Sequence, residues 1–149
     1  SSGTYAANVE SAIEWLISQQ SADGSLAGEA SEFEAMYCHG IATLTLSEAY
    51  GMEQDPVVRQ KLRAPLEQAL RYAASSQLSD GGWRYLPRQP GGDMSMFGWQ
   101  LMAFRSAETG ASRFPKRFGN DLSGSCRVGV EDVPEDWPGI ARKIRPLPP

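Results

Sequence analysis

Apolar positions recur at helical spacing in four stretches of the chain. Residues 5–19 place Val9, Ala12, Ile13, Leu16 and Ile17 on one face. Residues 34–50 offer Tyr37, Ile41, Leu44 and Ala49 as an apolar face, and Gly51 is a natural helix stop. Asp55-Pro56 reads as a helix start, a capping side chain followed by proline at the first helical position. Pro65 fits poorly inside a helix, so the third stretch is predicted as a short lead, 56–63, a break near Ala64, and a restart over 65–76. Asp93 caps a fourth helix over 94–109, which Gly110 ends. The pattern predicts an all-α fold.

The helices come in two copies. Ala12-x-x-Trp15-x-x-x-x-Gln20-x-x-Asp23-Gly24-x-Leu26 returns as Ala69-x-x-Tyr72-x-x-x-x-Gln77-x-x-Asp80-Gly81-x-Trp83, each matched pair 57 residues apart. Gly40-Ile41-Ala42-Thr43-Leu44-x-Leu46 returns as Gly98-Trp99-Gln100-Leu101-Met102-x-Phe104, 58 residues apart. A period of this size signals stacked units, none of which buries its apolar face alone. Glycine inside a helix costs roughly 1 kcal/mol against alanine. Its presence at Gly40 and again at Gly98 implies close helix–helix approach at both. The reading is two helical hairpins side by side over residues 5–110, each an outer helix followed by an inner one.

Residues 111–149 carry Pro115, Pro134, Pro138, Pro146, Pro148 and Pro149, four glycines and no third copy of the repeat. They read as an irregular tail. Composition, with 41% hydrophobic and 21% charged residues, is that of a globular domain. No run approaches the roughly 18 apolar residues of a membrane span, and no signal peptide is read at the N-terminus. Net charge is −4, with −6 over residues 1–75 and +2 over 76–149. Neither half has the dense basic face of a nucleic-acid binder. Cys38 and Cys126 are too far apart for a disulfide framework or a zinc motif. A reducing, cytoplasmic compartment is the default.

The repeated segment resembles the QW motif of the prenyltransferase and squalene-cyclase repeat family: small-x-x-aromatic-x-x-x-x-Gln-x-x-x-Gly-x-Trp. The second unit matches from Ala69 to Trp83. The first matches from Ala12 to Gly24 and then has Leu26 where the family prefers tryptophan. Both lack the basic residue that opens the motif, having Ser11 and Gln68 there. The resemblance implies hairpins of an α/α toroid, with Gln20, Asp23, Gly24, Gln77, Asp80, Gly81 and Trp83 as structural residues. In that reading the glutamine caps a helix end, Asp-Gly makes the turn, and the tryptophan seals it. The family's ring has about six hairpins and this chain has two. It therefore looks like a fragment of a longer parent chain, or a protomer that completes its core by self-association. The chain most resembles uncharacterised bacterial proteins carrying these repeats.

Catalytic templates fit poorly. Squalene-type cyclases protonate an alkene through an Asp-x-Asp-Asp-Thr-Ala motif, which needs a carboxylic acid kept protonated by its surroundings. The corresponding stretch is Asp93-Met94-Ser95-Met96-Phe97-Gly98. Asp93 is the candidate catalytic residue; its other reading is a helix cap. Prenyltransferases of this fold bind zinc, and Cys38-His39 is the local pair. Adjacent helical residues point about 100° apart and rarely share an ion, so no metal and no cofactor is implied. Cys38 is expected buried on a packed face and His39 partly exposed. There is no Gly-x-Ser-x-Gly elbow or phosphate-binding loop.

Tyr37, His39, Phe97 and Trp99 are the candidates for lining a cavity that takes an apolar or isoprenoid ligand; the same aromatics also read as helix core. The expected function is a noncatalytic α/α-repeat module for protein association or apolar-ligand binding. The alternative is a fragment of an isoprenoid cyclase or prenyltransferase whose catalytic residues lie outside this chain.

Overall fold

A computed structural model describes residues 3–79 and 81–112. All regular structure among them is helical: α1 (Ala6–Ser18), α2 (Ala35–Met52), α3 (Pro56–Ser75) and α4 (Met94–Ser112), with one 3-10 turn, Glu32–Glu34, leading into α2. The fold is all-α. Asp80, Cys126 and the proline-rich tail from residue 113 lie outside the described residues. No helix among the described residues is long and apolar enough to cross a membrane.

The two sequence copies fold alike down to single hydrogen bonds. In the first turn Ser21 N–H donates to the Ser25 carbonyl, Gly24 N–H to the Ser21 carbonyl, and Gln20 Nε2 to the Gly24 carbonyl. In the second, Leu78 N–H donates to Gly82, Gly81 N–H to Leu78, and Gln77 Nε2 to Gly81. Gly24 and Gly81 both adopt left-handed backbone, with φ of 94° and 84°, a region that only glycine enters without steric cost. The glutamine thus closes its own turn rather than capping the helix end. The helix end is served by the tryptophan instead: Trp83 Nε1 donates to the Ala73 carbonyl in the last turn of α3 at 2.8 Å.

Gln20 also donates to the Pro65 carbonyl at 2.9 Å, so the first turn is stapled onto α3. A side chain on Gly24 would start 2.4 Å from the Gln68 carbonyl oxygen. This joint bears on why α3 does not break at Pro65. The proline removes one intrahelical bond, to the Lys61 carbonyl, on an exposed side of the helix. Continuity keeps Leu62, Leu66, Ala69, Leu70 and Ala73 buried along one stripe, and burying each leucine is worth about 2 kcal/mol.

α2 and α4 run parallel and close. Successive contacts climb both helices together: Tyr37 with Ser95, Ser47 Oγ with the Ala103 carbonyl, Glu48 with Ser106, and Gly51 against Gly110. Residues 58 or so apart therefore face each other across one contact, the same step that relates the two sequence copies. α2 ends one residue past Gly51, at Met52, and α4 runs two residues past Gly110, to Ser112. A Cβ on Gly51 would lie 3.3 Å from the Gly110 Cα, so these glycines let the ends of the two helices approach closely. Gly40 also marks close approach, its Cβ position lying 2.9 Å from Gln100 Nε2 and 3.3 Å from the Trp99 Cβ. Gly98 does not: its Cβ would meet nothing within 4 Å.

α3 lies along the other flank of α2, where Leu62, Leu66 and Leu70 share a core with Ala42, Leu46 and Tyr50. This sandwiching changes which side of α2 is buried. Of the face expected from the sequence, Ile41 is 42% exposed, while Tyr37, Leu44 and Ala49 are half-buried. His39, Thr43, Leu46 and Ser47 are fully buried instead. Likewise Cys38 is exposed and His39 buried, the reverse of the expectation, because α2 has neighbours on two flanks. On α1 only Ile13 of the expected face is buried; Leu16 and Ile17 are half-buried, and Val9 and Ala12 are exposed.

Candidate functional site

A groove opens between α2 and α4. Its floor is the Gly51–Gly110 crossing, and its volume is about 490 Å3. Leu44, Met52 and Met102 supply apolar walls, with Glu48, Ser106 and Thr109 among the polar groups. Glu48 Oε1 accepts from Ser106 Oγ across the groove. The groove lies beside this crossing, where the missing side chains let the two backbones approach closely. Neither Glu48 nor Ser106 carries a motif, so sequence reading passed over both. The signal available was that they stand one repeat step apart.

At the N-terminal end of the helices a polar chain replaces the apolar walls. Asp93 Oδ1 accepts from the Ser95 and Met96 backbone N–H groups, each at 3.0 Å, and from Ser95 Oγ. Tyr85 OH reaches Asp93 Oδ2 at 3.4 Å, and Tyr37 OH pairs with Ser95 Oγ. The Ser95 hydroxyl, and then the Met96 N–H, hold the Asp93 carboxyl below its ordinary pKa. Asp93 is therefore an ionised helix cap at neutral pH. Alkene protonation requires the opposite environment, a carboxyl kept neutral.

Of the candidate cavity residues, Tyr37 and Phe97 pack against one buried cluster, that of Met36, Trp83 and Met96. Tyr37 is half-buried at this polar end, stacked on Tyr85 with ring centroids 6.2 Å apart. Trp99 is half-buried with its Cβ against Gly40. Phe97 packs on Trp83, centroids 6.0 Å apart, in a cluster with Met36 and Met96.

His39 lies in the interior between the hairpins, fully buried. The Leu26 N–H donates to its Nδ1 at 3.1 Å, which leaves the proton of the neutral ring on Nε2. Its ring meets Tyr72 edge-on at 4.7 Å. Desolvation pushes its pKa down to about 4, against a smaller opposing effect of the Ala69 backbone. His39 thus ties the end of the first motif, Leu26, to the start of the second, Ala69 and Tyr72. It is a neutral structural joint, with no route to the groove on these contacts.

Among the described residues no group of three or more His, Cys, Asp or Glu side chains is arranged to hold a metal ion. No family model matches the chain, and neither a curated protein nor a solved structure matches it.

Proposed function

We propose that the chain is a noncatalytic α/α-repeat module that works by association through its open helix faces, with the α2–α4 groove as a place for an apolar ligand. The resemblance of its turns to the QW motif supports membership in the prenyltransferase and squalene-cyclase repeat class as a partial toroid. The observation that carries the reading is the state of Asp93. The one acidic residue matching the cyclase motif has its Oδ1 taken up by two backbone N–H groups and a hydroxyl, and is held ionised. Such a carboxyl is ionised at neutral pH and holds no proton to give to an alkene.

The groove favours apolar over charged occupants. Its walls are leucine and methionine, and methionine adapts to varied apolar shapes. The test has two arms. The chain is incubated with squalene and with isoprenoid diphosphates, and products are sought by mass spectrometry; none is expected. An uncharged apolar fluorescent probe, Nile red, is titrated into the folded chain, and Met102→Glu is expected to weaken its binding. Turnover that Asp93→Asn removes at unchanged stability overturns the noncatalytic reading and restores the enzyme-fragment alternative.

A further inference from the structure

The repeat allows every interface residue to be asked what its counterpart does. α3 buries Leu62, Leu66 and Ala69 against the first hairpin. Their counterparts, 57 residues earlier, are Tyr5, Val9 and Ala12. Tyr5 is 73% exposed, Val9 is 52% exposed, and Ala12 is also exposed. The N-terminal part of the α1 stripe, Tyr5, Val9 and Ala12, is thus built like a buried one and is left exposed, while Ile13 further along it is buried in the core.

At the other end the same holds for α4. α2 presents Met36, Gly40 and Ser47 to α4, all buried. Their counterparts, 58 residues later, are Met94, Gly98 and Arg105. Met94 is 39% exposed, Gly98 has open space where a Cβ would be, and Arg105 is exposed. One end of the molecule therefore repeats the surface that the second hairpin covers, and the other repeats the surface that covers the first.

Charge agrees with this polarity. Residues 5–55 contain nine acidic residues and no lysine or arginine, whereas residues 56–112 contain seven bases and four acids. Two-fold pairing of like ends would bring like charges together. Head-to-tail contact brings the acidic hairpin of one copy to the basic hairpin of the next.

We propose that this chain assembles head to tail with further copies of itself, the α4 end of one copy covering the α1–α2 end of the next in the register that joins the two hairpins within the chain. This rests on the association reading above and specifies its partner. Phe97 takes the place of His39, and Trp15 of the next copy takes the place of Tyr72. An aromatic pair then forms where the chain has its His39–Tyr72 contact. Trp15 is 62% exposed in the single chain. Arg105, standing where Ser47 stands within the chain, comes beside Glu48 of the next copy. The contact is heterologous, so it continues into longer assemblies or closes as a ring.

The test uses the full 149-residue chain and two variants that spare the fold. Gly98→Lys adds a side chain into open space, and Val9→Lys changes an exposed position on the opposite end. Analytical ultracentrifugation over tens to hundreds of micromolar is expected to give assemblies larger than a dimer for the parent chain, weakened by added salt. Each variant alone is expected to sediment as a monomer with unchanged helical circular dichroism. Their equimolar mixture is expected to form a one-to-one dimer, since one intact α4 end meets one intact α1 end. A monomeric parent chain, a mixture that stays monomeric, or variants that associate like the parent each overturn the proposal. If the parent is monomeric and the apolar probe still binds the groove, the ligand half of the functional reading stands while this assembly fails.

Discussion

Burial of His39 makes the joint between the hairpins sensitive to acid. The unfolded histidine titrates near its ordinary value of 6.5, and the folded one near 4. Between those values the unfolded chain binds a proton that the folded chain refuses, so stability falls as pH falls. The contribution is complete above pH 6.5, declines through the window, and is fully lost once the pH passes below the folded value. Each unit of that window is worth about 1.4 kcal/mol, so the whole span costs about 3 kcal/mol. For a small domain this is a large share of total stability.

The assay is urea unfolding followed by circular dichroism, at low protein concentration, in steps from neutral pH down to about 4.5. His39→Asn supplies the control. Its carboxamide oxygen can accept from the Leu26 N–H, while the titration is gone. The variant is expected to be less stable at neutral pH by about 2 kcal/mol, from the lost ring packing on Tyr72, but to show a flatter pH dependence. Asp23, Glu53 and Asp93 also have depressed pKa values. Their contributions have the same sign and are lost at lower pH; Glu53 and Asp93 act alike in both proteins, and Asp23 differs only through the His39 charge, the least of the effects on it. His39 is the one histidine in the sequence, so the difference between the two curves isolates it. Equal slopes for the two proteins between pH 6.5 and 4.5 would refute the claim that the ring is buried uncharged.

Gly24→Ala is expected to cost about 3 kcal/mol, because the turn has φ of 94° and the new Cβ meets the Gln68 carbonyl at 2.4 Å. Gly98→Ala, by contrast, is expected to stabilise by about 1 kcal/mol; urea midpoints compare the two. Trp83→Phe removes the bond to the Ala73 carbonyl and leaves a cavity beside Met36 and Met96. It is expected to cost about 2–3 kcal/mol and to lower the thermal midpoint. Asp93→Asn keeps a capping acceptor, so neutral-pH stability is expected to change by less than about 1 kcal/mol. The loss of stability on acidification below pH 4 should shrink, because the depressed carboxyl that stabilises the fold only while ionised is gone; unfolding curves on either side of that pH check it.

Helix positions were legible because apolar spacing at 3.6 residues is a local property. So was the doubling of the chain: the matching turn bonds at Gln20 and Gln77 follow from the shared Gln-x-x-Asp-Gly spacing around one left-handed glycine. What the spacing did not carry was the number of neighbours each helix has. α2 is packed on two flanks, so Met36, Ser47 and Thr43 are buried although none belongs to its expected apolar face. α1 shows the opposite. Of its apolar stripe only Ile13 is buried, while Val9 and Ala12 are left exposed.

Glycine and proline divide the same way. A left-handed turn is written in Asp23-Gly24, because its strain is intrinsic to the residue. Pro65 had a local reading of break that the tertiary contacts overruled, whereas α2 does end within one residue of Gly51. At Gly51 and Gly110 the absent side chains also let two backbones come together, which no local rule states. At Pro65, one missing bond is outweighed by an unbroken line of buried leucines. Short-range covalent preferences thus fixed where the chain turns and repeats. Packing alone decided which faces are buried, which helices continue and where the groove opens, because those depend on groups from different helices meeting in space.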